Sequence, residues 1–266
     1  MKQTRPYPGT QAALRAIRLL KAFTPLSPEQ GLKELAAAVG LNKTTAYRLL
    51  TALESEGMVQ RAGDGEAYRL GPELVALATR VFGLGELRLA ASPELSALAR
   101  ATREAATLEV LAGDSVLILD EAIGGHMLGA APETGTRWPA HATSTGKVLL
   151  AGLPEAELDA LLPDALPAIT PKTITDPRAL RRELVRVRRR GYAVATEELE
   201  PGFVAVGAPV RSADGRVVAA LGIGGPKTRL TPARVTELAR RLPPAADRVS
   251  ARLGRGAVHT PRASAR

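Results

Sequence analysis

Leu32, Leu35, Ala36 and Val39 recur at i, i+3, i+4 and i+7, the apolar stripe of one helical face. Gly40 follows, where a left-handed residue ends a helix cheaply, and Asn42 carries a side-chain oxygen suited to capping the next helix. In that second helix Ala46, Leu49, Leu50 and Leu53 share a face that packs on the first. Thr44, Tyr47, Arg48, Thr51 and Ser55 occupy the opposite face, with Lys43 near its start. Gly57 ends the helix, Met58 and Val59 begin a strand, and Gly63-Asp64-Gly65 turns back into Ala67-Tyr68-Arg69-Leu70. An upstream helix, Gln11 to Phe23, adds Leu14, Ile17, Leu20 and Phe23 and completes a three-helix core. The order helix, turn, longer helix, hairpin is that of a winged helix-turn-helix. The start of its second helix meets base edges in the major groove. Lys43, Thr44, Thr45, Tyr47 and Arg48 are therefore predicted to face bases or nearby phosphates, Arg being able to bond guanine bidentately. Arg61 and Arg69 flank the hairpin and are expected on phosphates, which fix register without carrying sequence information. The plainer alternative is a helical hairpin with a solvated polar face.

Beyond the head, Gly71-Pro72-Glu73 opens a helix with Pro in its first turn, carrying Leu74, Val75, Leu77, Ala78 and Val81. We read residues 72–91 as a linker helix that offers a dimer contact. Ser92-Pro93-Glu94 predicts a new helix start, running to about Ala106. Thr107 to Leu111 and Ser115 to Asp120 read as strands around Gly113-Asp114, residues 124–142 as irregular, and Thr143 to Leu153 as a helix. Asp176-Pro177 caps a helix from Arg178 to Arg190, stopped by Gly191. Its six Arg within residues 181–190 suit either nucleic acid or, the reading preferred here, a solvated face opposite Leu180, Leu184 and Val187. Val204 to Arg211 and Val217 to Gly224 form a hairpin about Asp214-Gly215, and Thr231-Pro232 caps a last helix to about Leu253. The organisation expected is a flexible basic arm (1–10), a DNA-binding head (11–71), the linker helix (72–91), an α/β domain (92–253) and a disordered basic tail (254–266).

Charge refines this picture. The chain of 266 residues has room for two domains, at about 100–200 residues each. Its net charge of +9 favours a polyanionic partner. Residues 1–83 hold 11 Lys or Arg against 7 Asp or Glu, and residues 252–266 hold four Arg and no acid, so the excess sits on the head and tail. There is no Cys, which excludes disulfides and thiolate metal sites. No apolar run is long enough to span a membrane and no signal-peptide core follows Met1, so the cytoplasm is expected.

Catalytic signals are weak. Ser144 and Lys147 form an S-x-x-K pair without a second signature. Thr145-Gly146-Lys147 echoes a phosphate loop, but His141 and Val148 stand where that loop needs Gly and Ser or Thr. His126, His141 and His259 are too scattered for a metal motif, and Gly222 to Gly225 make no dinucleotide loop. No cofactor or metal is expected. The alternative from another class is a Ser/Lys-type hydrolase or sensor enzyme using Ser144, Lys147 and His141, with the head as an interaction module.

Several segments in order resemble the IclR family of bacterial transcription regulators over about residues 11 to 252. They are Leu41 to Leu50, Tyr68 to Pro72, His141 to Lys147, Thr173 to Asp176, Arg189 to Tyr192, Glu197 to Gly202, Ala208 to Val210 and Gly225-Pro226. The resemblance implies an α+β protein, with a winged helix-turn-helix joined by a linker helix to a C-terminal α/β, GAF-like effector-binding domain. It further implies a double-stranded DNA operator near a catabolic operon, a small-molecule effector, and a homodimer or dimer of dimers.

The effector positions depart from the family pattern. Ala195 replaces a typical Asp, Ala205 a typical Cys, and Gly222 and Gly224 two alternating Ser, while Trp138 and Phe203 stand at rim positions that are often aliphatic. Met127 and Ala130 belong to the same rim loop, and Ser144 and Thr145 open a helix whose N-terminus favours an anion or carbonyl oxygen. Lost polar groups disfavour a small buried carboxylate. An aromatic or flat apolar effector, with its polar end at Ser144 and Thr145, is one expectation. The other is that Trp138 and Phe203 fill the space the small residues leave.

Overall fold

The computed structural model describes residues 9–24, 26–63, 65–79, 84–125 and 134–256. The chain divides into two compact units, the division falling between Leu84 and Gly85.

In the first unit α1 (Gln11–Ala22), α2 (Leu32–Ala38) and α3 (Lys43–Ser55) pack with a small antiparallel sheet. Its strands are β1 (Glu29–Gly31), β2 (Val59–Ala62) and β3 (Ala67–Leu70), ordered β1-β3-β2. Leu19, Leu35, Leu50, Val59 and Tyr68 form the buried core, one from each of the three helices and two from the hairpin. Asn42 Oδ1 accepts the Thr45 N–H at 2.8 Å, and Gly40 takes φ 66°, so the tight turn forms as its residues dictate. Gly71 is required by close approach: a Cβ there would stand 2.1 Å from the Gly57 carbonyl oxygen, where the exit of the hairpin crosses the end of α3. The hairpin is not two-stranded as expected, because Glu29 to Gly31 pair with Arg69 to Ala67. A three-residue strand leaves no periodic signature in sequence. The helix α4 (Glu73–Thr79) closes this unit.

The second unit is a six-stranded antiparallel sheet ordered β6-β5-β4-β9-β8-β7. The strands are β4 (Ala105–Ala112), β5 (Ser115–Ala122), β6 (Arg137–Pro139), β7 (Ala193–Thr196), β8 (Phe203–Arg211) and β9 (Val217–Pro226). Its helices are α5 (Leu84–Thr102), α6 (Ser144–Ala151), α7 (Glu155–Leu161), α8 (Pro177–Arg190) and α9 (Pro232–Gly256), of which α6 and α9 pack on the sheet and α8 packs on α6. Leu149, Leu150, Leu180, Leu184 and Val187 knit α6 and α8 into a core with Val116 and Ala220 of the sheet. The helix α9 runs along β8 and β9 and is clamped to α5 by Glu94, which takes Arg248 at 2.7 Å and Arg252 at 2.8 Å. Arg248 above all holds that carboxyl below the ordinary range.

One expected boundary is wrong. Ser92-Pro93 does not start a helix: α5 begins at Leu84, passes through Pro93 and ends at Thr102. Proline in a helix interior frees the carbonyl four residues back. Here that carbonyl belongs to Leu89, which is 78% exposed, so water can meet it. Residues 72–91, read as the linker helix, include α4 and the start of α5, and residues 80–83 between them lie outside the described residues. The last helix reaches Gly256, past the expected Leu253.

Candidate functional site

On α3 the packing of Ala46 and Leu50 into the core turns Lys43, Thr44, Tyr47, Arg48 and Thr51 to solvent, with Thr45 half-buried behind them. Tyr47 is 48% exposed, unusually open for an aromatic ring in a small domain. No ion pair engages Lys43 or Arg48 among the described residues. The hairpin cations differ. The Arg61 guanidinium stacks 4.2 Å from the centre of the Tyr68 ring, donates to the Gly65 carbonyl at 2.9 Å and pairs with Glu54 at 3.4 Å. Arg69 reaches Glu29 at 3.7 Å. Tyr68, expected simply as part of the wing, is fully buried. Burial pushes its hydroxyl up against the opposing pull of Arg61.

The second unit contains a cavity of about 360 Å³, inside the range of roughly 300–1,000 Å³ that small-molecule sites occupy. Its wall brings together Trp138, Ser144, Thr145, Ala195, Phe203, Ala205, Gly222 and Gly224, all the anticipated effector residues that the structure describes. Met127 and Ala130 lie outside the described residues. Thr143 caps α6, its hydroxyl accepting the Gly146 N–H at 3.0 Å. The first-turn N–H groups of Ser144 and Thr145 have no partner within the helix by position, and both residues line the cavity.

The two glycines do not enlarge this cavity. A Cβ at Gly222 would meet Thr107 Oγ1 at 2.6 Å and Thr145 Cγ2 at 2.8 Å, and one at Gly224 would meet Phe203 Cζ at 2.5 Å. Register explains both: Gly222 faces Thr107 across β9 and β4, and Gly224 faces Ala205, two residues along β8 from Phe203. Phe203 thus fills the space of one missing side chain, and its ring also lines the cavity. Gly224→Ser is expected to cost about 1 kcal/mol, the low end for overpacking, because the ring can yield into open cavity. Urea melts of the two proteins check this. A variant as stable as the parent would mean the ring is not packed on Gly224.

Sequence reasoning missed the cavity's charged groups. Glu109 is 2% exposed and receives the Thr107 hydroxyl at 2.7 Å and the Thr145 hydroxyl at 2.5 Å. Burial pushes its carboxyl up, and the two Thr hydrogen bonds only partly oppose this. Glu104 and Arg229 form a bidentate pair, both bonds at 2.7 Å, which holds the guanidinium above its ordinary value. Glu198 also lines the cavity and is bonded at 2.5 Å by Lys147, which is 1% exposed and stands behind the wall. A signal was present for Glu109. Thr107 and Glu109 stand two apart in an otherwise apolar run from Ala105 to Ala112, so they share one face of a strand.

The remaining candidates fall elsewhere. His141 Nε2 lies 2.9 Å from the Pro167 carbonyl, away from this cavity's wall. The Arg of α8 are drawn onto the unit's own groups: Arg181 onto Glu155 and Asp159, Arg186 and Arg190 onto Glu183, Arg188 onto the Ala151 carbonyl. No group of three or more acidic or His side chains suited to a metal ion occurs among the described residues. No helix among them is long and apolar enough to cross a membrane.

Comparison with known proteins agrees on both units. Residues 12–63 match the family model described as the IclR helix-turn-helix domain, and residues 80–251 match that described as bacterial transcriptional regulator IclR C-terminal. The chain is 33% identical to the HTH-type transcriptional regulator XynR of Escherichia coli K12, over 93% of this chain and 98% of that one. It is 35% identical to the glycerol operon regulatory protein of Streptomyces griseus, over 92% and 97% respectively. Among solved structures, an IclR homolog from Microbacterium hydrocarbonoxydans complexed with 4-hydroxybenzoate superposes with a TM-score of 0.75 at 31% identity, covering 91% of this chain and 98% of that one.

Proposed function

The chain belongs to the IclR family of bacterial transcriptional regulators, with a DNA-binding helix-turn-helix and an effector-binding domain, and we propose that it is a repressor of a catabolic operon released by a small aromatic acid. The observation that carries the effector class is the cavity itself. Trp138 and Phe203 offer flat apolar walls, while Ser144 and Thr145 offer hydroxyl and first-turn N–H groups at one end. The 4-hydroxybenzoate bound by the Microbacterium protein is of this class and supports the same reading.

On the head, Lys43, Thr44, Thr45, Tyr47 and Arg48 face the bases or nearby phosphates of the operator. Arg69 holds a phosphate after giving up its long contact with Glu29, and Arg61 does so only with the charge left over from Glu54 and Tyr68. The protein works as a homodimer or dimer of dimers in the cytoplasm. Val75 on α4, 66% exposed, supplies apolar surface for such a contact. It acts by binding rather than catalysis, since Lys147, the would-be base for Ser144, is held by a carboxylate instead.

The test is fluorescence anisotropy with DNA from upstream of its own gene against a scrambled duplex, at several salt concentrations. Tight binding to the first alone, weakening steeply with salt through counterion release, supports the regulator. Addition of 4-hydroxybenzoate should then quench or shift Trp138 emission and lower the anisotropy. No response to any aromatic acid, amide or hydrazide would remove the effector class, and a rise in anisotropy would show that the effector strengthens operator binding instead of releasing it.

A further inference from the structure

We propose that Glu109 sets the hydrogen-bonding polarity of Thr145, so that the cavity takes up an effector carboxylate together with one proton from solvent. This rests on the reading of the cavity as a site for aromatic acids. It concerns a group that reading does not use.

Thr145 has one hydroxyl hydrogen. With Glu109 ionised, that hydrogen is spent on Glu109 Oε2 at 2.5 Å, and Thr145 presents only lone pairs to the cavity. Thr107 likewise spends its hydrogen on Oε1. An incoming carboxylate would then meet an acceptor, backed by a second buried negative charge. With Glu109 protonated, its new O–H donates to Thr145 Oγ1, and the Thr145 hydrogen turns to the cavity as a donor. The proton forms an O–H bond on Glu109 and comes from bulk water, so charge and atoms balance: one anion and one proton enter together.

The surroundings leave Glu109 no cation to lean on. The strand β9 beside it carries no ionisable group, and β5 carries only Asp120 and Glu121, the first drawn to Arg88 at 3.7 Å. On α6 the single ionisable group, Lys147, is spent on Glu198. On the cavity wall Arg229 is spent on Glu104, and Arg103 makes no hydrogen bond to Glu109. Among the described residues only the two Thr hydroxyls hold the Glu109 oxygens. Gly222 keeps the space in which this arrangement fits. Burial already favours the protonated form, and a bound anion favours it further.

The linkage has a defined sign. Affinity for an anionic effector is greatest where free Glu109 is protonated and falls by up to tenfold per pH unit between its free and bound titrations. Without effector the same group weakens the fold as pH rises. Folded Glu109 holds its proton where the unfolded chain has lost it, so stability present in acid is lost as pH climbs from the ordinary Glu range through the raised value.

Titration calorimetry with 4-hydroxybenzoate, in two buffers of different ionisation enthalpy at several pH values, counts the protons. At pH values above the titration of free Glu109 the wild-type protein should take up close to one per effector, and below it progressively fewer, while neutral 4-hydroxybenzamide should take up none. Glu109→Gln, a neutral isostere, should bind 4-hydroxybenzoate with a flat pH profile and no uptake. Binding without uptake at every pH in the wild type, or a Glu109→Gln variant that keeps the wild-type profile, overturns the proposal and leaves the effector class standing. No binding of either probe at any pH overturns both. Should the variant fail to fold, the proton count on the wild-type protein still decides, together with an infrared difference spectrum. That spectrum must show a carboxylic acid C=O appearing when 4-hydroxybenzoate binds.

Discussion

Replacing Lys147 by Met is expected to destabilise the effector-binding domain by about 3–5 kcal/mol, the cost of leaving a buried carboxylate without its partner. The side chain is inaccessible, its Nζ sits 2.5 Å from Glu198 Oε1, and it also donates to the Val194 carbonyl at 3.3 Å. Glu198 Oε2 already lacks a partner among the described residues, so Glu198 has no second donor to fall back on. At about 2–4 °C per kcal/mol for a unit of this size, thermal unfolding should shift down by roughly 6–20 °C. The double variant Lys147→Met with Glu198→Gln should recover most of this, because a buried pair replaced as a whole is often neutral. A single variant that loses less than about 1 kcal/mol would show the pair to be solvated, like an exposed one. Helix α6 also presents Ser144 and Thr145 to the cavity, so the variant should weaken effector binding along with the fold.

Arg48→Ala is expected to cost about 1–3 kcal/mol at the specific operator, roughly a fivefold to 150-fold rise in Kd, and to relax discrimination at one base pair. Arg48 is exposed on the outer face of α3, and removing it uncovers no core. Its melting temperature should therefore stay near wild type. Lys43→Ala should behave differently. Without an ammonium to meet a phosphate at the start of α3, binding weakens for all sequences alike and the salt slope falls by about one. Anisotropy titrations of both variants, on operator and scrambled duplexes across salt, separate the two. An Arg48→Ala protein with unchanged operator affinity would show that Arg48 touches no base.

The head was legible because its signals agree with one another. The stripe through Leu35 and Leu50, the Asn42 cap and the glycines at 40 and 57 all state the same turn, and each is local. What escaped depends on distant partners. The strand β1 exists because Glu29 to Gly31 find β3, nearly forty residues away in sequence. Pro93 reads locally as a helix start, yet the packing of Leu87, Ala91 and Leu95 carries the helix through it. The cavity was legible as a set of positions, since small residues and two aromatics fell where a resemblance put the effector. Its electrostatics were not. Glu109 gains its meaning from Thr145, 36 residues on, and Arg229 from Glu104, 125 residues back, and no spacing rule reports such pairs.

The space left by Gly222 and Gly224 also constrains the order in which this cavity can change. A side chain at 222 and the Thr107–Glu109–Thr145 set exclude one another, as do a side chain at 224 and the present seat of the Phe203 ring. Reintroducing serine at either position therefore passes through a crowded intermediate, whereas first trimming Phe203, for 224, or Thr107 and Thr145, for 222, passes through a merely hollow one. Any route from this effector preference to another is path-dependent: the bulk must leave before the hydroxyl arrives. A library that varies 107 and 145 together with 222 should recover folded proteins of altered preference that substitution at 222 alone would miss.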